Sequence, residues 1–245
     1  MGSVGAVRTL AQLDSGSVHA ASVADNCLLR NEWVCPLYVQ QRQSQILEAV
    51  GEHVQITVLS IVIGAAIAFP LAVVARRNRH LRGFILNSST VIYTIPSLAL
   101  FPLLLPFTGL SITTVIIGLV LYSLTILLRN VMAGLESVPA EVLDAANGMG
   151  LGRRRLLWRV ELPLALPTIF AGLRIATVST VALTTIGAVV GYGGLGNLIF
   201  QGLNSFFRAQ VLVACVLCVV LAVLADLLLL AVQRGVTPWQ RGARA

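Results

Sequence analysis

Arg174 and Asp226 are the only charged residues inside the long apolar runs of this sequence, and chemistry there would begin with them. A lone charge at mid-helix in a bilayer costs about 2.5 to 3.5 kcal/mol on insertion scales, so each wants a partner. Arg174 lies seven residues past Pro167, and Asp226 lies eight residues before Arg234. At the helical rise these offsets are depths of roughly 10 and 12 Å from the same end of their runs. The matched depths predict an intramembrane salt bridge acting as a structural clasp. In the competing reading Arg174 snorkels to the surface and Asp226 stays neutral against a neighbouring backbone.

Cys27 and Cys35 lie outside the apolar runs with seven residues between them, a spacing that permits a disulfide in an oxidising compartment. Free thiols are the other reading. Cys215 and Cys218 fall inside the last run and read as packing residues. The three histidines, His19, His53 and His80, are not spaced to complete a metal site, so no metal is expected. The sequence contains no lysine, and a Walker A loop needs one to reach nucleotide phosphates. No paired carboxylates or nucleophile elbow occur in the apolar runs. The expectation is a chain with no catalytic residues and no cofactor of its own.

The elements that carry these residues follow from composition. Of the 245 residues 57% are hydrophobic and only 11% are charged, against roughly a quarter in soluble domains. Five apolar runs, 54–75, 84–107, 110–128, 164–190 and 209–233, uncharged apart from Arg174 and Asp226, approach the length of about 20 residues that spans a bilayer. In hydrocarbon the backbone must bond to itself, so all five read as helices of an all-α polytopic transmembrane bundle. Pro96, Pro102 and Pro106 would kink the second.

Arginine placement orients the chain, because positively charged loops stay in the cytoplasm. Arg76, Arg77, Arg79, Arg82, Arg129, Arg153, Arg154, Arg155, Arg159, Arg234, Arg241 and Arg244 fall on one side, against Arg8, Arg30, Arg42 and Arg208 on the other. The N-terminus is therefore expected outside and the C-terminus in the cytoplasm of a multi-pass cell-membrane protein. The net charge of +7 then reflects topology, and nucleic acid is not an expected partner. Residues 1–53 read as an external tail, in which Ile46, Leu47, Val50 and Val54 predict a short amphipathic helix on the membrane surface. Residues 54–233 form the membrane domain and 234–245 a cytoplasmic tail.

The cytoplasmic stretch 134–163 is ordered for a loop. Ser137 is placed to cap a helix with Pro139 and Glu141 in its first turn and Val142, Ala145, Ala146 and Met149 on its apolar face. Gly148 and Gly150 end it, and a second short helix from Gly152 should run until Pro163 stops it. Asp144-Ala145-Ala146, three residues, Gly150, nine residues, then Val160-Glu161-Leu162-Pro163 resembles the EAA loop of binding-protein-dependent ATP-driven importer permeases. That pattern reads E-A-A, three residues, G, nine residues, I, any residue, L-P. This chain departs by Asp for Glu and Val for Ile.

The resemblance implies that Asp144, Ala145, Ala146, Gly150, Val160, Leu162 and Pro163 form a loop that docks on a separate ATPase subunit, where ATP is hydrolysed. It also implies an extracytoplasmic substrate-binding protein and a second permease, identical or a sister chain. The segments Tyr93-Thr94-Ile95-Pro96-Ser97-Leu98-Ala99-Leu100 and Gly191-Tyr192-Gly193-Gly194-Leu195-Gly196-Asn197, with Val236-Thr237-Pro238, resemble the osmoprotectant permeases, carriers of glycine betaine, choline, carnitine or proline-like solutes. A quaternary ammonium favours aromatic faces, so Tyr93, Pro96 and Tyr122 are candidates for the path, with ordinary packing the competing reading of Tyr122. Within the class, a methionine or other amino-acid importer shares the loop. Outside it, an ion-coupled carrier would need more ionisable groups in its spans than two.

Overall fold

The computed structural model describes residues 26–76 and 78–239. The polar residues 1–25, Arg77 and the tail from 240 onward, with Arg8, Arg241 and Arg244, lie outside the described residues. The order is α1 Pro36–Gln41, α2 Gln43–Ala75, α3 Arg79–Thr94, α4 Ser97–Thr108, α5 Ile112–Glu136, α6 Ala140–Gly148, α7 Arg153–Leu156, a π turn Leu157–Glu161, α8 Leu162–Thr184, a 3-10 turn Thr185–Val190, α9 Leu195–Asn204 and α10 Arg208–Val236. The described residues contain no strand.

Four helices are each long and apolar enough to cross a membrane: Gln43–Ala75, Ile112–Glu136, Arg153–Val190 and Arg208–Val236. The fifth expected span is not one helix. α3 and α4 meet at 102° and are long and apolar enough to cross a membrane only as a pair. Pro96 is the cause: it disfavours helical geometry at Ile95, which is extended (φ −67°, ψ 126°), while Pro102 and Pro106 are absorbed inside α4.

Two other boundaries differ from expectation. The stripe Ile46, Leu47, Val50 and Val54 is not a separate surface helix but the first turns of α2, which runs on without a break. Ile46 and Ala49 pack there against Leu195, Leu198 and Ala209, so tertiary burial extends the helix beyond the apolar run. Pro163 does not stop the second loop helix either. The chain is helical from Arg153 to Val190, and the π turn just before the proline takes up the misfit, with Leu162 N–H donating to the Leu157 carbonyl.

α5 is the hub, with 56% of its apolar window buried, whereas α10 buries only 6% and lies outermost. In a bilayer helices associate through close packing more than through hydrophobicity, so small residues mark the contacts. Gly64, Ala68, Ala72 and Ala75 of α2 face α5, and a Cβ on Gly64 would lie 2.5 Å from Ser123 Oγ. On α8 a Cβ at Gly172 would lie 2.1 Å from Asn130 Cβ.

Gly172→Val should therefore lower stability by about 1 to 3 kcal/mol through overpacking. Gly51→Ala, where a Cβ meets nothing within 4 Å, should be neutral or stabilising. Thermal unfolding of the detergent-solubilised chain measures both.

Candidate functional site

The loop between α5 and α8 forms at the end of the bundle where the arginines gather. Ser137 does not cap α6. It ends α5, its hydroxyl donating to the Gly134 carbonyl, and the residue preceding α6 is Pro139 without a side-chain cap. α6 ends in a Schellman turn: Gly150 N–H donates to Asn147 O at 2.9 Å and Leu151 N–H to Ala146 O at 3.2 Å. Gly150 has φ +78°, the left-handed region that glycine enters without penalty, and a Cβ there would meet nothing within 4 Å.

The apolar face expected on α6 is only partly covered. Ala146 is buried, but Ala145, Val142 and Met149 are exposed, Met149 to 74%. Asp144 is exposed beside them, and Arg153, Arg154, Arg155 and Arg159 are exposed on the following helix. Val160, Leu162 and Pro163 are half-buried where the loop joins α8.

A contact that sequence reasoning missed ties the loop to the bundle. Arg76, at the end of α2, donates to both oxygens of Glu161, at 3.0 and 2.7 Å. Glu161 is 6% exposed. This hydrogen-bonded carboxylate raises the Arg76 pKa above its ordinary value. The sequence treats Arg76 as a topology charge and Glu161 as the free position of the motif, and carries no sign of their approach.

Tyr93, Pro96 and Tyr122 come together at the α3–α4 bend. The Tyr122 hydroxyl donates to the Ile95 carbonyl, which the proline bend leaves without a helical partner. The Tyr93 ring meets Tyr122 edge to face, with centroids 5.7 Å apart. Tyr122 is buried and its hydroxyl is committed, so its role in the fold is that of a strut; Tyr93 is 46% exposed.

Arg174 and Asp226 form a fork between α8 and α10, with Nε to Oδ1 and Nη2 to Oδ2 both at 2.7 Å. Their side chains are 27% and 31% exposed on the wall of an open pocket of about 400 Å³. At the opposite end Cys27 and Cys35 are joined by a disulfide, with Cα atoms 5.5 Å apart. The loop they close carries Asn31, which donates to Phe206 O at 2.7 Å and accepts from Arg208 N–H at 2.9 Å, so it caps the start of α10. The glycine-rich segment is a tight corner against α2. A Cβ on Gly194 would lie 2.7 Å from the His53 backbone nitrogen, and one on Gly196 would lie 2.2 Å from Thr185 O. Asn197 bonds both Gly191 O and Gly193 N across that corner. No group of three or more metal-ligating side chains occurs among the described residues.

Residues 60–241 match the family model of the binding-protein-dependent transport system inner membrane component. The chain belongs to that family. A carnitine transport permease protein of Listeria monocytogenes is 35% identical to this permease over 202 residues, 82% of this chain and 91% of the relative. A glycine betaine/carnitine/choline transport system permease protein of Bacillus subtilis is 36% identical over 82% of this chain and 88% of its own. In three dimensions the permease shares the fold of the MetNI methionine transporter in an inward-facing conformation, with a TM-score of 0.74 at 24% identity, covering 80% of this chain and 98% of that one. The chain is thus an inner-membrane transport component with the α-helical permease fold.

Two outcomes are expected of the contacts above. Tyr122→Phe leaves the Ile95 carbonyl unpaired and should cost about 0.5 to 2 kcal/mol of stability in thermal unfolding. Neutralising either Arg174 or Asp226 should lower the yield of folded permease, and exchanging the two charges should restore part of it, measured by size-exclusion recovery of the variants.

Proposed function

We propose that this permease moves a small osmoprotectant such as glycine betaine, choline, carnitine or proline into the cell, driven by an ATPase subunit that docks on residues 144–163. The observation that carries this reading is the exposed face of α6. Val142, Ala145 and Met149 stand uncovered beside Asp144, on a helix whose end is set by the left-handed Gly150. A short helix offering small and flexible apolar side chains suits a groove on a partner protein. ATP is bound and hydrolysed by that partner, and this chain carries no cofactor.

The arginine-rich end, with the loop and the C-terminus, is the cytoplasmic side. The disulfide-closed loop and the glycine-rich corner then lie outside, where an extracytoplasmic binding protein delivers the solute. A second permease, identical or a sister chain, completes the path. The substrate class rests on the relatives, whose names specify carnitine, choline and glycine betaine. The exposure of Tyr93 supports it, because quaternary ammonium groups favour aromatic rings.

In proteoliposomes holding the permease, its ATPase and its binding protein, uptake of labelled glycine betaine, choline, carnitine or proline should require ATP. Uptake driven by an ion gradient without ATP would sink the proposal, and ATP-driven uptake of methionine alone would move the substrate class. Gly150→Glu should detach the ATPase or stop transport. Gly150→Asn, which tolerates the left-handed conformation, should retain most of both.

A further inference from the structure

The coupling loop is covalently continuous with α8, so any displacement of it enters α8 directly. α2 belongs to a distant part of the chain and meets the loop only through space. Three contacts make that junction. Arg76 forks onto Glu161, the Phe69 and Trp158 rings lie 6.0 Å apart, and Leu157 packs against the core that contains Ala68, Ala72 and Ala75. Glu161, Trp158 and Leu157 all belong to the π turn. A π turn shifts the register of the residues within it, and such turns recur at functional positions. Here the turn puts the carboxylate and the indole against the same end of α2.

These contacts do not transmit motion equally. Ring and aliphatic surfaces can slide past each other, since their attraction has little direction. A bidentate guanidinium–carboxylate fork fixes both separation and rotation. Burial decides which ion pair matters. Arg82 and Glu136 also pair nearby at 2.8 Å, but their side chains are 44% and 39% exposed, and such surface pairs hold little. Glu161 is buried, with both oxygens taken up by one arginine, so removing either member strands the other.

We propose that Arg76–Glu161 is the positioning contact that passes the movement of the coupling loop to α2, so that α2 and α8 shift as one body. Neither residue touches the solute or nucleotide. The inference rests on the docking of an ATPase at residues 144–163.

The test uses the complete complex in proteoliposomes and measures both solute taken up and phosphate released. Glu161→Gln and Arg76→Gln should each keep the ATPase bound and hydrolysing, while solute moved per ATP falls by at least about fivefold, the lower range of coupling between sites. The exchange Arg76→Glu with Glu161→Arg should recover most of the parental ratio, and Arg82→Gln should not change it. A parental ratio in both single variants overturns the proposal. So does loss of the folded permease in both singles that the exchange restores, because the pair would then be a structural clasp only. If the parental complex itself moves solute without ATP, it is the ATPase-docking reading that fails. That result is read before any variant is made.

Discussion

A peptide group in hydrocarbon has no water to bond, and four departures of the described chain from a straight helix are met by a specific partner. At Ile95 the Pro96 bend frees a carbonyl, and the Tyr122 hydroxyl takes it. At the glycine-rich corner Asn197 takes up one carbonyl and one N–H. Ahead of α10 the Asn31 side chain does the same for Phe206 and Arg208. Before Pro163 the hydrogen bonding widens to a π turn instead of breaking. The bundle can therefore bend at these places with the backbone groups named here paired.

The same economy governs its charges. The Arg174–Asp226 and Arg76–Glu161 pairs are bidentate forks, and each joins helices from distant parts of the chain. Their settings differ. The first pair is about a third exposed on a pocket wall and fastens the outermost helix, α10, to α8. In the second Glu161 is buried, its side chain only 8% exposed, at the root of the loop between α5 and α8. Packing completes what the charges begin, because Gly64 and Gly172 let α2 and α8 approach α5 closely enough that a Cβ would collide with Ser123 or Asn130.

The loop between α5 and α8 combines rigidity within and exposure without. Its internal geometry is closed by the Schellman turn at Gly150, by Ala146 buried inward and by Glu161 anchored to α2. Its outward face, Val142, Ala145 and Met149, is left uncovered by the described residues. A helix held firmly from behind and bare in front is suited to pass on a push without absorbing it.

Much of this was legible in one dimension. The apolar runs follow from the thickness of hydrocarbon and the loop from the spacing of Asp144, Gly150 and Pro163, both local properties of the chain. The matched depths of Arg174 and Asp226 are likewise a matter of counting along two helices. What the sequence could not carry is the identity of partners separated by long stretches of chain: Tyr122 with Ile95 across 27 residues, Arg76 with Glu161 across 85, and Asn31 with Phe206 across 175. Pro96 announces a freed carbonyl without naming the hydroxyl that will reach it. The run of α2 through residues 43–53 and the unbroken helix past Pro163 were likewise decided in three dimensions. In each of these, tertiary contacts outweigh the local preference of the chain to stop, continue or straighten.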